Sequence, residues 1–176
     1  TETVLLASLA NATFMNPDAI GVSSIGSSAA LNLLLATACK GTTAIGCLNA
    51  ATPSAARHAI RAAGWDPVNM ARGISAHLHV EEVRLLCLAC RKPLTDIDLV
   101  PTKARTLAES FHEAPGCDRC QGTGRRGTGF LIDAFIPDGE KADGSFRQIQ
   151  ARDGEVRRLL SRGDIDPRCI ASFTTA

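Results

Sequence analysis

Four cysteines carry the clearest chemistry in this chain. Cys87-Leu-Ala-Cys90 and Cys117-Asp-Arg-Cys120 are two C-x2-C knuckles with 26 residues between them. A two-residue gap lets both sulfurs of a knuckle face one point, and two knuckles supply the four thiolates of a tetrahedral Zn²⁺ site. Free thiols packed as small hydrophobes are one competing reading. A redox pair is another, but it needs one C-x2-C, not two. The doubled spacing favours a metal. All four ligand places are cysteine, which leaves no open position for water, so the expected ion is structural. Gly116, Gly122 and Gly124 flank the second knuckle, where the chain must turn through positive φ.

The remaining reactive side chains read more plainly. His58, His77, His79 and His112 are expected to be surface or satisfied histidines, with His77 and His79 on different faces of a helix. Asp18 follows Asn-Pro and suits a turn-capping role. Glu81 and Glu82 read as solvated, and Asp133 as a structural acid facing Arg125 or Arg126. Ser23 and Ser24 have no neighbouring base to make either a nucleophile. Arg91, Lys92, Arg119, Arg125 and Arg126 gather near the knuckles as a local basic cluster.

At 176 residues the chain can bury one good core and carry a small metal-stapled appendage. A net charge of +1 gives no global electrostatic case for nucleic acid or an anionic membrane. Cys39, Cys47 and Cys169 lie outside the knuckles with no pairing pattern, which fits a reducing cytoplasm. No signal peptide is visible, and no apolar run reaches the ~18 residues of a membrane-spanning helix. The first residue is Thr1, not Met, so any missing motif is weighed against an upstream segment.

The elements that must position the knuckles follow from periodicity. Glu2 to Thr13 is helical in spacing, and Ala19 to Ile25 reads as a buried strand. Ser27 or Ser28 caps a helix that stops at Gly41, and Thr43 to Leu48 is a second strand. Strand, helix, strand over some thirty residues predicts a parallel βαβ unit. Thr52-Pro53 starts a helix up to Gly64, and Asp66-Pro67 starts another that is expected to run past Leu78 towards Val83. A helix is expected from Thr102 to His112, a strand from Phe130 to Ile136, and a loop from Pro137 to Ser145. Phe146 to Arg162 reads as helical, and the tail from Gly163 is weakly patterned.

In that order the pieces resemble the assembly ATPases of type II secretion and type IV pilus systems, the extension-motor family. The resemblance covers about Met15 to Phe135. Asn16-Pro17-Asp18-Ala19-Ile20-Gly21-Val22 is similar to the opening of the family's Walker B strand, and Gly41 to Asn49 to the strand that ends in its histidine box. Gly64-Trp65-Asp66-Pro67 fits the segment leading to the family's zinc module. Cys117-Asp-Arg-Cys-Gln-Gly-Thr-Gly-Arg-Arg-Gly resembles its second knuckle and Gly-rich extension. The resemblance implies a partial RecA-like P-loop NTPase C-terminal domain, a βαβ core plus helices, with a tetracysteine zinc module. The corresponding segments are 1–86 for the core, 87–136 for the zinc module and 137–176 for a C-terminal loop and helix.

The departures fall on the reacting groups. Nucleotide hydrolysis needs a phosphate cradle, a Mg²⁺ ligand and a group that positions water. No G-x-x-x-x-G-K-S/T loop is present. The family's Walker B glutamate falls on Ser24, the Arg-Asp behind it on Gly26 and Ser27, and its histidine-box histidine on Asn49. Its Gln-Arg-Leu triplet falls on Val80-Glu81-Glu82, and the tyrosine and arginine after the second knuckle on Arg125 and Thr128. Serine cannot supply a carboxylate's charge or basicity. The expectation is a degenerate, non-hydrolysing relative in the cytoplasm, peripheral at the inner membrane, that docks onto a motor or an inner-membrane platform protein and could form a homo-oligomer. One alternative is the C-terminal part of an active ATPase whose P-loop, with ATP and Mg²⁺, lies upstream. Another is a zinc-finger binding module, since Cys-x2-Cys-x-Gly-Thr-Gly also looks like one repeat of the J-domain chaperone fingers. A nucleic-acid ribbon is disfavoured by near-neutral charge and few aromatics.

Overall fold

Three capped helix starts set the framework of the first half of the chain. The computed structural model describes residues 2–138 and 144–172. Two units form: the first ends at His77 and takes back Phe135–Gln148, and the second is Leu78–Ala134 with the chain from Ile149 on.

The first unit contains α1 (Glu2–Phe14), β1 (Ala19–Ile25), α2 (Ser28–Ala38), β2 (Thr43–Leu48), α3 (Pro53–Ala62) and α4 (Pro67–Gly73). Ser27, Thr52 and Asp66 hold extended backbone, and their side chains accept from the amides of Ala30, Ala55 and Asn69 at 3.2, 3.0 and 2.9 Å. Each satisfies a donor that the first helical turn leaves open. Gly41 at φ +100° takes the chain out of α2, a conformation in which a side chain would be strained. β1 and β2 then pair in parallel, Ala19 with Thr43 through Val22 with Gly46, and Ile25 with Leu48 after a register shift. A Cβ at Gly46 would come 2.5 Å from Leu34 and 2.6 Å from Ile25, so the strand lies close under α2. Leu9, Val22, Ile25, Leu31, Leu34, Leu35, Ile60 and Met70 make the core. Trp65 closes it at one end, its Nε1 donating to Asn32 Oδ1 at 2.7 Å. Met70 is fully buried among these side chains, so Met70→Ala is expected to cost about 2–5 kcal/mol. Denaturant unfolding measures that loss directly.

After α4 the chain forms β3 (His77–Leu86), β4 (Lys92–Pro93), α5 (Thr102–Arg105), β5 (His112–Glu113), β6 (Arg125–Pro137), β7 (Phe146–Gln150) and α6 (Arg152–Ser161), followed by a 3₁₀ segment at Pro167–Ser172. β3, β6 and β7 hydrogen-bond in that order, and β4 pairs antiparallel with β5. Val83, Val100, Ala104, Leu107, Phe111, Leu131, Val156, Leu159, Leu160, Ile165 and Ile170 form one core. The tail that reads as weakly patterned thus supplies two buried isoleucines.

Mixed α/β architecture, the parallel βαβ unit and the placing of every element up to the start of α4 agree with the sequence reading, except that β1 is not a buried strand, since only Val22 and Ile25 of it are buried. Five further expectations need correction. The helix from Pro67 stops at Gly73, and His77–Leu86 is a strand. Its burial alternates, with His77, His79, Glu81 and Val83 on the less exposed row. Residues two apart on a strand share a face, so His77 and His79 are on one side, not two. The helix expected over Thr102–His112 ends at Arg105, because His112–Glu113 is held extended against Lys92–Pro93. Its apolar stripe is real all the same: Val100, Ala104, Leu107 and Phe111 are all buried. Phe146–Arg162 is not one helix but β7 followed by α6. The strand expected at Phe130–Ile136 is longer, Arg125–Pro137. Of the expected Pro137–Ser145 loop, positions 139–143 lie outside the described residues.

Candidate metal centre

Cys87 follows directly on β3, and its amide donates to the Gly124 carbonyl at 2.9 Å, which brings the two knuckles side by side. In the first knuckle the amides of Cys90 and Arg91 both return to the Cys87 carbonyl. In the second, a 3₁₀ turn over Asp118–Cys120 places Cys117 and Cys120 on one side. All four Sγ atoms lie within 4.8 Å of one another. The Sγ separations are 4.0 Å for Cys87–Cys117, 3.9 Å for Cys90–Cys120 and 3.8 Å for Cys117–Cys120. Bonds of ~2.3 Å in a tetrahedron give edges of ~3.8 Å, so the donors fit one zinc-sized ion. They are far too distant for disulfides, whose S–S bond is ~2.05 Å. Cys87 and Cys120 are buried and Cys90 and Cys117 half-buried.

Backbone amides prepare the thiolates. Cys120 Sγ accepts from the amides of Cys117 and Gly124, each at 3.2 Å. Burial works to raise the Cys120 thiol, but these two donors and its sulfur neighbours bring it down to about 6. Burial pushes the Cys90 thiol up to about 12. A metal ion held by these four sulfurs would supply the charge to keep them as thiolates and would cross-link the two turns.

Glycine is required at two points of the cradle. Gly116 sits at φ +108° against the Gly122 backbone, and Gly124 at φ +68° against the Ala114 carbonyl. A Cβ on Gly124 would strike that carbonyl while its amide is committed to Cys120. Gly124→Ala is expected to destabilise the loaded protein by about 1–3 kcal/mol and to weaken metal retention. A chelator competition against wild type checks the second effect.

The other sequence candidates separate from this centre. None of the four histidines belongs to the ligand group. His58 is exposed on α3, and the His112 ring lies against Gly163, where any Cβ would meet it. Asp18 gives its backbone carbonyl to the Thr43 amide at 3.0 Å. Asp133 does not face Arg125 or Arg126. Its Oδ1 accepts from the Arg152 amide at 2.9 Å, and its Oδ2 lies 3.5 Å from Arg152 Nε. Glu81 is only half-buried, but it is not a free solvated acid, since it pairs with Arg152 at 2.7 Å. Sequence reading missed this triad, because its members stand far apart in the chain.

Within the basic cluster, Arg91 is spent on the fold, donating to the carbonyls of Arg162 and Gly163 and pairing with Asp164 at 3.0 Å. Lys92 pairs with Glu113 at 3.5 Å. Arg119, Arg125 and Arg126 remain exposed beside the second knuckle. Of the isolated cysteines, Cys39 and Cys47 are exposed, while Cys169 donates to the Asp166 carbonyl at 2.8 Å and is pushed up to about 11 by burial.

In the first unit, Gly26, Ser27, Ser28 and Asn49 border a shallow cleft of about 350 Å³ at the C-terminal ends of β1 and β2, with Leu31 and Leu48 behind them. Ser24 is exposed and does not line it. No helix among the described residues is long and apolar enough to cross a membrane. No protein-family model matches the chain, and no curated protein matches it.

Proposed function

We propose that this chain is a degenerate relative of the secretion and pilus assembly ATPases, acting as a zinc-stabilised protein-contact module. The observation that carries the proposal is the order of parts. A parallel βαβ unit is followed along the chain by four cysteines gathered to tetrahedral spacing. In this reading the first unit is a remnant of a RecA-like core. The cleft at the ends of β1 and β2 is where such a core would act on nucleotide, and its border offers serine hydroxyls and an asparagine amide instead of a carboxylate. A phosphate could be approached there, but no border group has the basicity to activate water.

Zinc would then be architectural, fixing the loop that presents Arg119, Arg125 and Arg126. These guanidiniums suit acidic or carboxylate-bearing surfaces, with a motor subunit or an inner-membrane platform protein as the expected partner class. The module would work in the cytoplasm, at the inner-membrane face.

Two assays test this. ATP turnover by the longest natural chain is expected to be absent; Mg²⁺-dependent hydrolysis sinks the non-hydrolysing reading and restores an active motor with an upstream P-loop. Triple replacement of Arg119, Arg125 and Arg126 by Glu should abolish capture by a purified platform-protein cytoplasmic domain while leaving zinc content unchanged. Salt-dependent binding of an oligonucleotide by anisotropy, lost in the same triple variant, would instead favour a nucleic-acid ribbon.

A further inference from the structure

Each knuckle pairs a reachable sulfur with a sheltered one. Cys90 and Cys117 are half-buried, while Cys87 and Cys120 are buried. Cys117 also borders an open depression with Ala89, Asp118 and Arg119, a side from which a small solute can approach it. One kind of hydrogen bond closes both knuckles, from the second cysteine's amide to the first one's carbonyl. It spans 3.2 Å from Cys90 to Cys87 and 3.1 Å from Cys120 to Cys117. A turn closed in this way keeps its first and fourth Cα atoms within about 7 Å. A disulfide bridges Cα atoms about 4.4–6.8 Å apart, so each turn already brings its own two cysteines within reach of one. In the second knuckle the two Sγ atoms are 3.8 Å apart.

We propose that the tetracysteine centre is a peroxide-responsive switch, in which oxidation closes a disulfide inside each knuckle and releases the metal. The inference rests on the zinc-stabilised reading above and is independent of the partner. Hydrogen peroxide oxidises the outer thiolate, Cys117 or Cys90, to a sulfenic acid as the O–O bond breaks and hydroxide leaves. The buried partner, Cys120 or Cys87, attacks that sulfur, expels a second hydroxide and forms the S–S bond. Each knuckle thus gives two electrons to one peroxide. Disulfide sulfurs carry no thiolate charge, so the ion loses its ligands. What changes is the direction of the cross-link. A metal ion joins one knuckle to the other, whereas these disulfides lie within a knuckle and leave the Cys87 amide to Gly124 carbonyl bond as the tie between them. Oxidation therefore loosens the loop that carries Arg119, Arg125 and Arg126.

Hydrogen peroxide added to the zinc-loaded full chain near neutral pH tests it, read by a zinc-sensitive dye and by disulfide mapping in a mass spectrometer. The exposed Cys39 and Cys47 serve as internal references. Thiolate is the reacting form and free cysteines are mostly thiols near neutral pH, so zinc release is expected about tenfold or more ahead of oxidation at Cys39 and Cys47. About two peroxides per chain should suffice. The products should be Cys87–Cys90 and Cys117–Cys120 disulfides, and a dithiol with added zinc should restore the loaded state. Zinc retained while Cys39 and Cys47 oxidise, or release through sulfinic acids that no dithiol reverses, overturns the switch and leaves the zinc-stabilised reading standing. Disulfides joining Cys87 to Cys117 or Cys90 to Cys120 overturn it too, because they would keep the knuckles tied. A chain that never binds zinc overturns both readings together.

Discussion

Cys90→Ser, or removal of metal by a chelator, is expected to abolish the cooperative unfolding transition of the second unit. The fold gathers four thiols within 4.8 Å, and apart from them the Cys87 amide to Gly124 carbonyl bond holds the first turn against the second. Apparent metal-binding free energies at such sites are about 10–16 kcal/mol, while a whole domain is stable by about 5–15 kcal/mol. Taking the ion away therefore removes as much as the fold has to give. Elemental analysis should find one zinc per chain in the wild type and none in Cys90→Ser. A chain that carries no metal and keeps its melting curve in chelator would sink the structural role.

Acid should act like the chelator, and the sign follows from the thiols. Bringing the Cys120 thiol down from 9.0 to about 6 contributes stability that is complete above 9.0 and lost as pH falls through about 6. The raised Cys90 thiol works the other way in the metal-free chain: its contribution is present below 9.0 and lost as pH rises towards 12. Binding zinc converts both to thiolates and releases protons. Zinc release and loss of structure should therefore coincide on acidification, followed together by metal-dye absorbance and circular dichroism.

Arg152→Ala is expected to cost about 3–5 kcal/mol. Arg152 is 5 % exposed, and its guanidinium lies between Glu81, at 2.7 Å, and Asp133, at 3.5 Å. Its own backbone amide donates to Asp133 Oδ1, and this bond caps α6, because Ala151 at the N-cap position has no side-chain acceptor. Removing the side chain leaves buried Asp133 and half-buried Glu81 without their guanidinium, the costly way to break a buried pair. The melting temperature should fall by about 10 °C or more. Replacing all three groups by apolar residues of similar size should recover most of that loss, since the charges would leave together. If Arg152→Ala melts like wild type, the cluster contributes no net stability.

The sequence alone determined whatever depends on neighbours along the chain. The caps at Ser27, Thr52 and Asp66, the turn at Gly41 and the two parallel strands are read from local signals and met by the structure, which also gathers Cys87, Cys90, Cys117 and Cys120 as their doubled spacing suggests. Tertiary structure decided the rest. β3 hides its period because its inner row carries Glu81, which is tolerable only where Arg152, 71 residues on, neutralises it. α6 hides its start because its cap comes from Asp133 on another strand. In both places the group that satisfies a buried charge or an open amide is distant in sequence, so no local pattern marks it.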